Sequence, residues 1–160
     1  MSGEVSRHVG RHEDLRFLIG HGRFTADLVP DDALHAVFVR SAIARGHIRQ
    51  IEVEAARAAP NIIAVLTADD TACDNISNMV WTGSPVRDDG LTSVESQRPL
   101  LSGSVIRHLG EPICMIVGRT RQSAMDAAEL INISYEGDEE VALTLGELEG
   151  PLVWPGSPDN

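Results

Sequence analysis

Lysine is absent from this 160-residue chain, and all 13 of its basic residues are arginine. Without lysine there is no Schiff-base amine and no P-loop ammonium to hold a nucleotide phosphate. The arginines are scattered from Arg7 to Arg121, and the formal net charge is −11. A nucleic-acid surface needs clustered cations to displace counterions from phosphates, so nucleic acid is excluded as a partner. Cysteine is nearly as scarce: Cys73 and Cys114 stand far apart and form no C-x-x-C pair. Reduced thiols are expected, without zinc or an iron–sulfur cluster. No apolar run approaches the roughly 18–20 residues that span a bilayer, which argues against a membrane partner. The N-terminus, MSGEVSRHVGRHEDLRF, is polar and mixed in charge, unlike a secretory signal or transit peptide, so a cytoplasmic location is expected.

What is present suits a folded domain: 42% of residues are apolar, enough at this length for a hydrophobic core. Residues 1–10 read as a disordered tail. Leu15, Leu18 and Ile19 fall at helical spacing ahead of Gly20 and Gly22, which predicts a short helix stopped by glycine. Pro30, Asp31 and Asp32 build a turn. Residues 34–40 alternate Leu34, Ala36, Phe38 and Arg40 against His35, Val37 and Val39, as a strand does. Gly46 bends the chain into a second alternating strand over 47–53. A short helix over 54–59 is ended by Pro60, and the apolar run 61–67 reads as a strand buried on both faces. Thr67 and Asp70 form a capping-box-like helix start. Residues 71–98 show no sustained period, and Met79, Val80 and Trp81 stand out there as an apolar anchor. Strand character resumes over 99–109.

The best-organised stretch is GEPICMIVGRTRQSAMDAAELINISYE, residues 110–136. Gly110, Glu111 and Pro112 make a turn, and 113–117 a buried strand. Thr120 caps a helix whose Ala124, Ala127, Ala128 and Ile131 share one face, and 133–136 is the return strand. Residues 144–150 predict a weak helix, and 151–160 an extended, proline-broken tail.

No motif in the chain completes an active site. The Gly20-x-Gly22 pair lacks a preceding strand and a third glycine, so a dinucleotide site is not expected. Arg119 and Arg121 near the 120–131 helix start read as solvated. His8 and His12 are separated by Gly10, which breaks a helical metal face. Asp69, Asp70 and Asp74 lack the spacing of a calcium loop and read as helix caps. His35 and His47 lie on strands, and a hydrolase assembled from His35, Ser41 and Asp69 is the weakest reading. Cys114 is expected to be buried and inert, Cys73 reactive.

Taken in order, RHEDLRFLIGHGRFTADL, ALHAVFVRS, HIRQIE, AVLTADD, HLGEPICMIVGRTRQSAMDAAELINISYE and EGPLVWPGSPDN resemble the N-terminal α/β-hammerhead domain of a molybdopterin-binding large subunit. The family is that of xanthine dehydrogenase, aldehyde oxidase and carbon monoxide dehydrogenase. The chain departs from the family pattern at SAIARG, at Pro60-Asn61-Ile62, at Cys114 and at GDEE, mostly in turns and edges. The resemblance implies an α+β class, a single domain of mixed strands with two or three packed helices. It implies a domain over 11–150 and a linker over 151–160 leading to a molybdopterin-binding domain. The family's catalytic and cofactor residues lie further along, so none is carried over here, whether catalytic, cofactor-binding or metal-ligating. The complete oxidoreductase is expected to use molybdopterin, with iron–sulfur clusters and FAD on partner subunits or domains. The alternative is a free-standing hammerhead module without redox chemistry. Met79–Trp81 and Leu152–Trp154 are expected to form an exposed apolar surface that docks on the rest of the large subunit, the alternative being that each folds back on the domain's own sheet.

Overall fold

Glycine and asparagine in the left-handed region close two of the helices, and both closures follow from local chemistry. The computed structural model describes residues 11–76, 78–80, 86, 90, 97–137 and 152–154. Contacts divide the chain into two compact units, residues 1–33 and 34–160.

In the first unit, helix α1 (Asp14–Leu18) ends as predicted at Gly20, whose φ is +76°. The Gly20 N–H donates to Phe17 O (3.1 Å) and the His21 N–H to Arg16 O (2.9 Å), a Schellman closure. A 3₁₀ turn follows at Thr25–Leu28, and the Phe17 and Phe24 rings stack at 5.5 Å. None of the described residues of this unit is buried.

The second unit holds β1 (His35–Arg40), β2 (Gly46–Glu52), α2 (Glu54–Arg57), β3 (Ile62–Leu66) and α3 (Ala68–Cys73). It continues with β4 (Met79–Val80), β5 (Gln97–Arg98), β6 (Val105–Ile106), β7 (Pro112–Gly118), α4 (Arg121–Ala128) and β8 (Asn132–Gly137). The strands form two three-stranded sheets, ordered β1-β7-β3 and β6-β2-β8, and every pairing is antiparallel. β4 and β5 pair with each other, so the connection 71–98, expected to lack structure, holds the end of α3 and a short ladder.

The core lies where these elements meet. Ile113, Cys114 and Ile116 of β7 are buried with Val53, Ala56, Val65 and Ile106. Ala124 and Ala127 complete it from α4, which packs on the first sheet. Ile48, Ile51, Ile133 and Tyr135 reach it from the second sheet. Alanine on that helix face has a geometric reason: a Cβ built on Gly118 would stand 3.2 Å from the Ala124 Cβ, so α4 sits almost on the backbone of β7.

Four expectations are revised. The return strand of residues 110–136 does not come back beside β7: β8 pairs with β2 in the second sheet. The β3 run is not buried on both faces: it is an edge strand, bonded to β7 alone, and Ile63 is 48% exposed. In β2 the alternation breaks at Arg49, where the register against β8 slips by one residue. That bulge lets Ile48 and Ile51, three apart, both turn to the core. Of residues 99–109 only Val105–Ile106 are strand, while Leu101 and Ser102 are buried in irregular backbone. The helix expected over 144–150 and Trp81 lie outside the described residues.

Gly46 opens β2 with φ +147°, and a Cβ there would run into the backbone of Glu136 and Gly137. Gly46→Ala combines backbone strain with overpacking and is expected to cost about 2–4 kcal/mol in urea unfolding. Gly110 has φ +79° but open space around it. Gly110→Ala is expected to cost only about 1–2 kcal/mol, the strain alone. Equal losses at the two positions would contradict the close approach of β2 and β8.

Candidate functional site

The chemistry-bearing residues weighed from sequence are not brought together. His35 begins β1 and Ser41 follows its end, roughly 20 Å apart along an extended strand. The Ser41 hydroxyl is occupied locally, donating to Ile43 O at 2.7 Å, and Asp69 lies in α3. His47 is exposed on β2, Arg119 and Arg121 are exposed beside α4, and His8 lies outside the described residues. Among the described residues no three His, Cys, Asp or Glu side chains are placed to hold a metal.

Asp70 does cap α3. Its carboxylate accepts from the Thr67 N–H (2.7 Å) and the Thr67 hydroxyl (2.8 Å) and stands 3.5 Å from the Arg57 guanidinium. The Thr67 hydrogen bonds, with Arg57 a smaller contributor, hold Asp70 below the usual carboxylate pKa. Asp70, Arg57 and Arg49 line a polar cleft of about 440 Å³ beside β2, whose ionic groups are thus partly spent on each other. Thr120 caps α4 as expected, accepting from the Ser123 N–H at 3.1 Å.

The most highly organised polar cluster was missed. Glu111, read from sequence as a turn residue, is 3% exposed and stands just ahead of β7. One carboxylate oxygen accepts from the Ser102 hydroxyl at 2.5 Å and the other from the Arg107 N–H at 2.6 Å. The Arg107 guanidinium lies 4.0 Å from the same carboxylate, and its Nε is buried with no partner. The flat guanidinium faces the Trp154 ring at 4.5 Å. Trp154, expected on a docking surface, instead folds back on its own domain against Arg107. Leu152 and Val153 line a groove of about 200 Å³ with Arg45, Gly46, His47, Val105, Ile106 and Arg107. The available signal was Glu111 itself: a charged residue directly before a buried strand requires buried partners.

The arrangement ties the start of β7 to the irregular backbone ahead of it, with both Glu111 oxygens accepting hydrogen bonds. A family model described as the aldehyde oxidase and xanthine dehydrogenase a/b hammerhead domain matches residues 19–139. The chain belongs to this family. It is similar to the nicotine 6-hydroxylase large subunit of Paenarthrobacter nicotinovorans, with 30% identity over 98% of this chain and 18% of that protein. The carbon monoxide dehydrogenase large chain of Afipia carboxidovorans is 30% identical over 79% of this chain and 14% of its own length. Among solved structures, quinoline 2-oxidoreductase from Pseudomonas putida 86 superposes with a TM-score of 0.73 at 36% identity, over 83% of this chain and 16% of that one. The chain thus spans less than a fifth of the relatives it matches. Its two sheets and short helices are the hammerhead domain of the molybdenum hydroxylase family, and the α+β class read from sequence holds.

Two outcomes are expected. Glu111→Ala leaves the Ser102 hydroxyl and the Arg107 N–H buried without an acceptor, and should lower stability by about 3 kcal/mol in urea titration. Glu111→Gln, which keeps an acceptor, should lose less, and equal losses would mean the hydrogen bonds are not what the carboxylate supplies. Cys114 is fully buried and its thiol is pushed up to about 11 by desolvation, whereas Cys73 is exposed. A native thiol titration at mildly alkaline pH should show one fast thiol, abolished in Cys73→Ser, with Cys114 reacting only on unfolding.

Proposed function

We propose that this hammerhead domain is the scaffold portion of a molybdenum hydroxylase large subunit, an oxidoreductase of the xanthine dehydrogenase type. In this reading it contributes no catalytic, cofactor-binding or metal-ligating residue. The molybdopterin-binding domain of the large subunit packs against it, with iron–sulfur and FAD subunits completing a cytoplasmic enzyme.

One observation carries the reading. Residues 11–33 bury no side chain of their own, and Leu15, Leu18, Ile19, Phe24, Leu28 and Val29 are all exposed, Leu18 at 83%. Apolar side chains this dense in a short segment are the mark of a surface meant to be covered. The rest of the large subunit is the natural cover, since the relatives are more than five times as long as the part matched here.

The described residues do not fit a molybdenum–pterin site. Glu111 is committed to Ser102 and Arg107, Asp70 to Thr67 and Arg57, and Cys114 lies in the apolar core as a thiol. The cofactor's chemistry would belong to the partner domain, and the two packed sheets supply a wall for that domain to pack on.

Coexpression with the remainder of a large subunit tests this reading. The two pieces are expected to copurify, and Leu18→Asp or Phe24→Asp to weaken the pairing about tenfold or more, as loss of one buried apolar anchor does. The purified 160-residue chain is expected to carry no molybdenum by elemental analysis. Stoichiometric molybdenum in the isolated chain would overturn the scaffold reading, and failure to associate would favour the free-standing module.

A further inference from the structure

The geometry points to a clasp, in which Arg107 holds the returning segment Leu152–Trp154 on the β2–β6 side of the domain. The proposal stands independently of the function above, because every group in it belongs to this chain.

Pro151 and Pro155 bracket the segment and have no N–H, so between them only Leu152, Val153 and Trp154 can donate to a backbone ladder. Among the described elements no strand includes these residues. Side-chain contact contributes to the attachment. Trp154 is half-buried with the Arg107 guanidinium over its ring at 4.5 Å. Leu152 and Val153 form one wall of a small groove whose other wall includes Gly46, Val105 and Ile106; both stay partly exposed, and Val153 has a further partner.

Arg107 is able to present a fixed flat face because it is pinned from behind. Its own N–H donates to Glu111 at 2.6 Å, and one guanidinium nitrogen lies 3.5 Å from Val105 O and 4.0 Å from the Glu111 carboxylate. Glu111 is in turn held by Ser102. The buried carboxylate is thus a positioning residue for the stack, which explains why a charge is retained at the very edge of the core. A delocalised planar cation suits this role, and the compact ammonium of lysine does not.

The chain has two tryptophans, Trp81 and Trp154, so Trp81→Phe leaves Trp154 as sole reporter. In that background Trp154 emission is expected to be blue-shifted and only weakly quenched by acrylamide. Arg107→Ala should shift emission to the red and raise quenching about two- to fivefold, the factor an exposed cation–π pair supplies, while the circular-dichroism melting transition persists. Arg107→Lys, which keeps the charge near Glu111 but loses the plane, should give a smaller rise of the same sign. Unchanged quenching in a folded Arg107→Ala protein would overturn the clasp. If Arg107→Ala does not fold, unchanged quenching in Arg107→Lys would overturn it equally.

Discussion

Strand β7 is bonded along both edges, to β1 on one side and β3 on the other, while α4 packs on its sheet. A strand so placed can expose neither edge nor tolerate a charge in its middle, and Ile113, Cys114 and Ile116 meet that demand. Each of the two isoleucines contributes about 1.5–3 kcal/mol through burial. The neighbours are shaped to the strand in turn. α4 carries alanine at its inner positions because Gly118 and Ala124 approach to contact distance. The second sheet closes the same core with Ile48, Ile51, Ile133 and Tyr135.

The polar side chains of residues 34–137 are largely spent on this architecture. Asp70 closes the first turn of α3, Thr120 that of α4, and Glu111 ties β7 to the irregular backbone of Ser102 and Arg107. Residues 11–33 show the opposite imbalance, with apolar side chains that bury nothing within the described structure. The family's members are several times longer than the part matched here.

Features governed by neighbours in sequence were readable in advance. Gly20 ends α1 because only a residue at ease with φ near +76° closes that turn, and the Thr67–Asp70 and Thr120 caps each act within three residues. The alternation of β1 was legible as a strand, and the structure adds that His35, Val37 and Val39 lie on its more buried face. Features set by distant partners were not readable. The apolar composition of β3 concealed that it has a partner on one side only. The bulge at Arg49 exists because β2 must match β8, some eighty residues further along. β8 has the composition of a return strand, and nothing in 133–136 says to which sheet it returns.

The same division holds for the polar residues. The ordered set of segments carried the resemblance to the family and, through it, the fold class, because that resemblance depends on which residues are present and in what order. Only the tertiary structure decided that Glu111 is buried, that Ser102 and Arg107 are its partners, and that Trp154 lies against Arg107. These contacts join residues from four to nearly fifty positions apart through irregular backbone. No periodicity marks such backbone, so its contacts are chosen by the packing of β7 and the sheet beside it and not by local propensity.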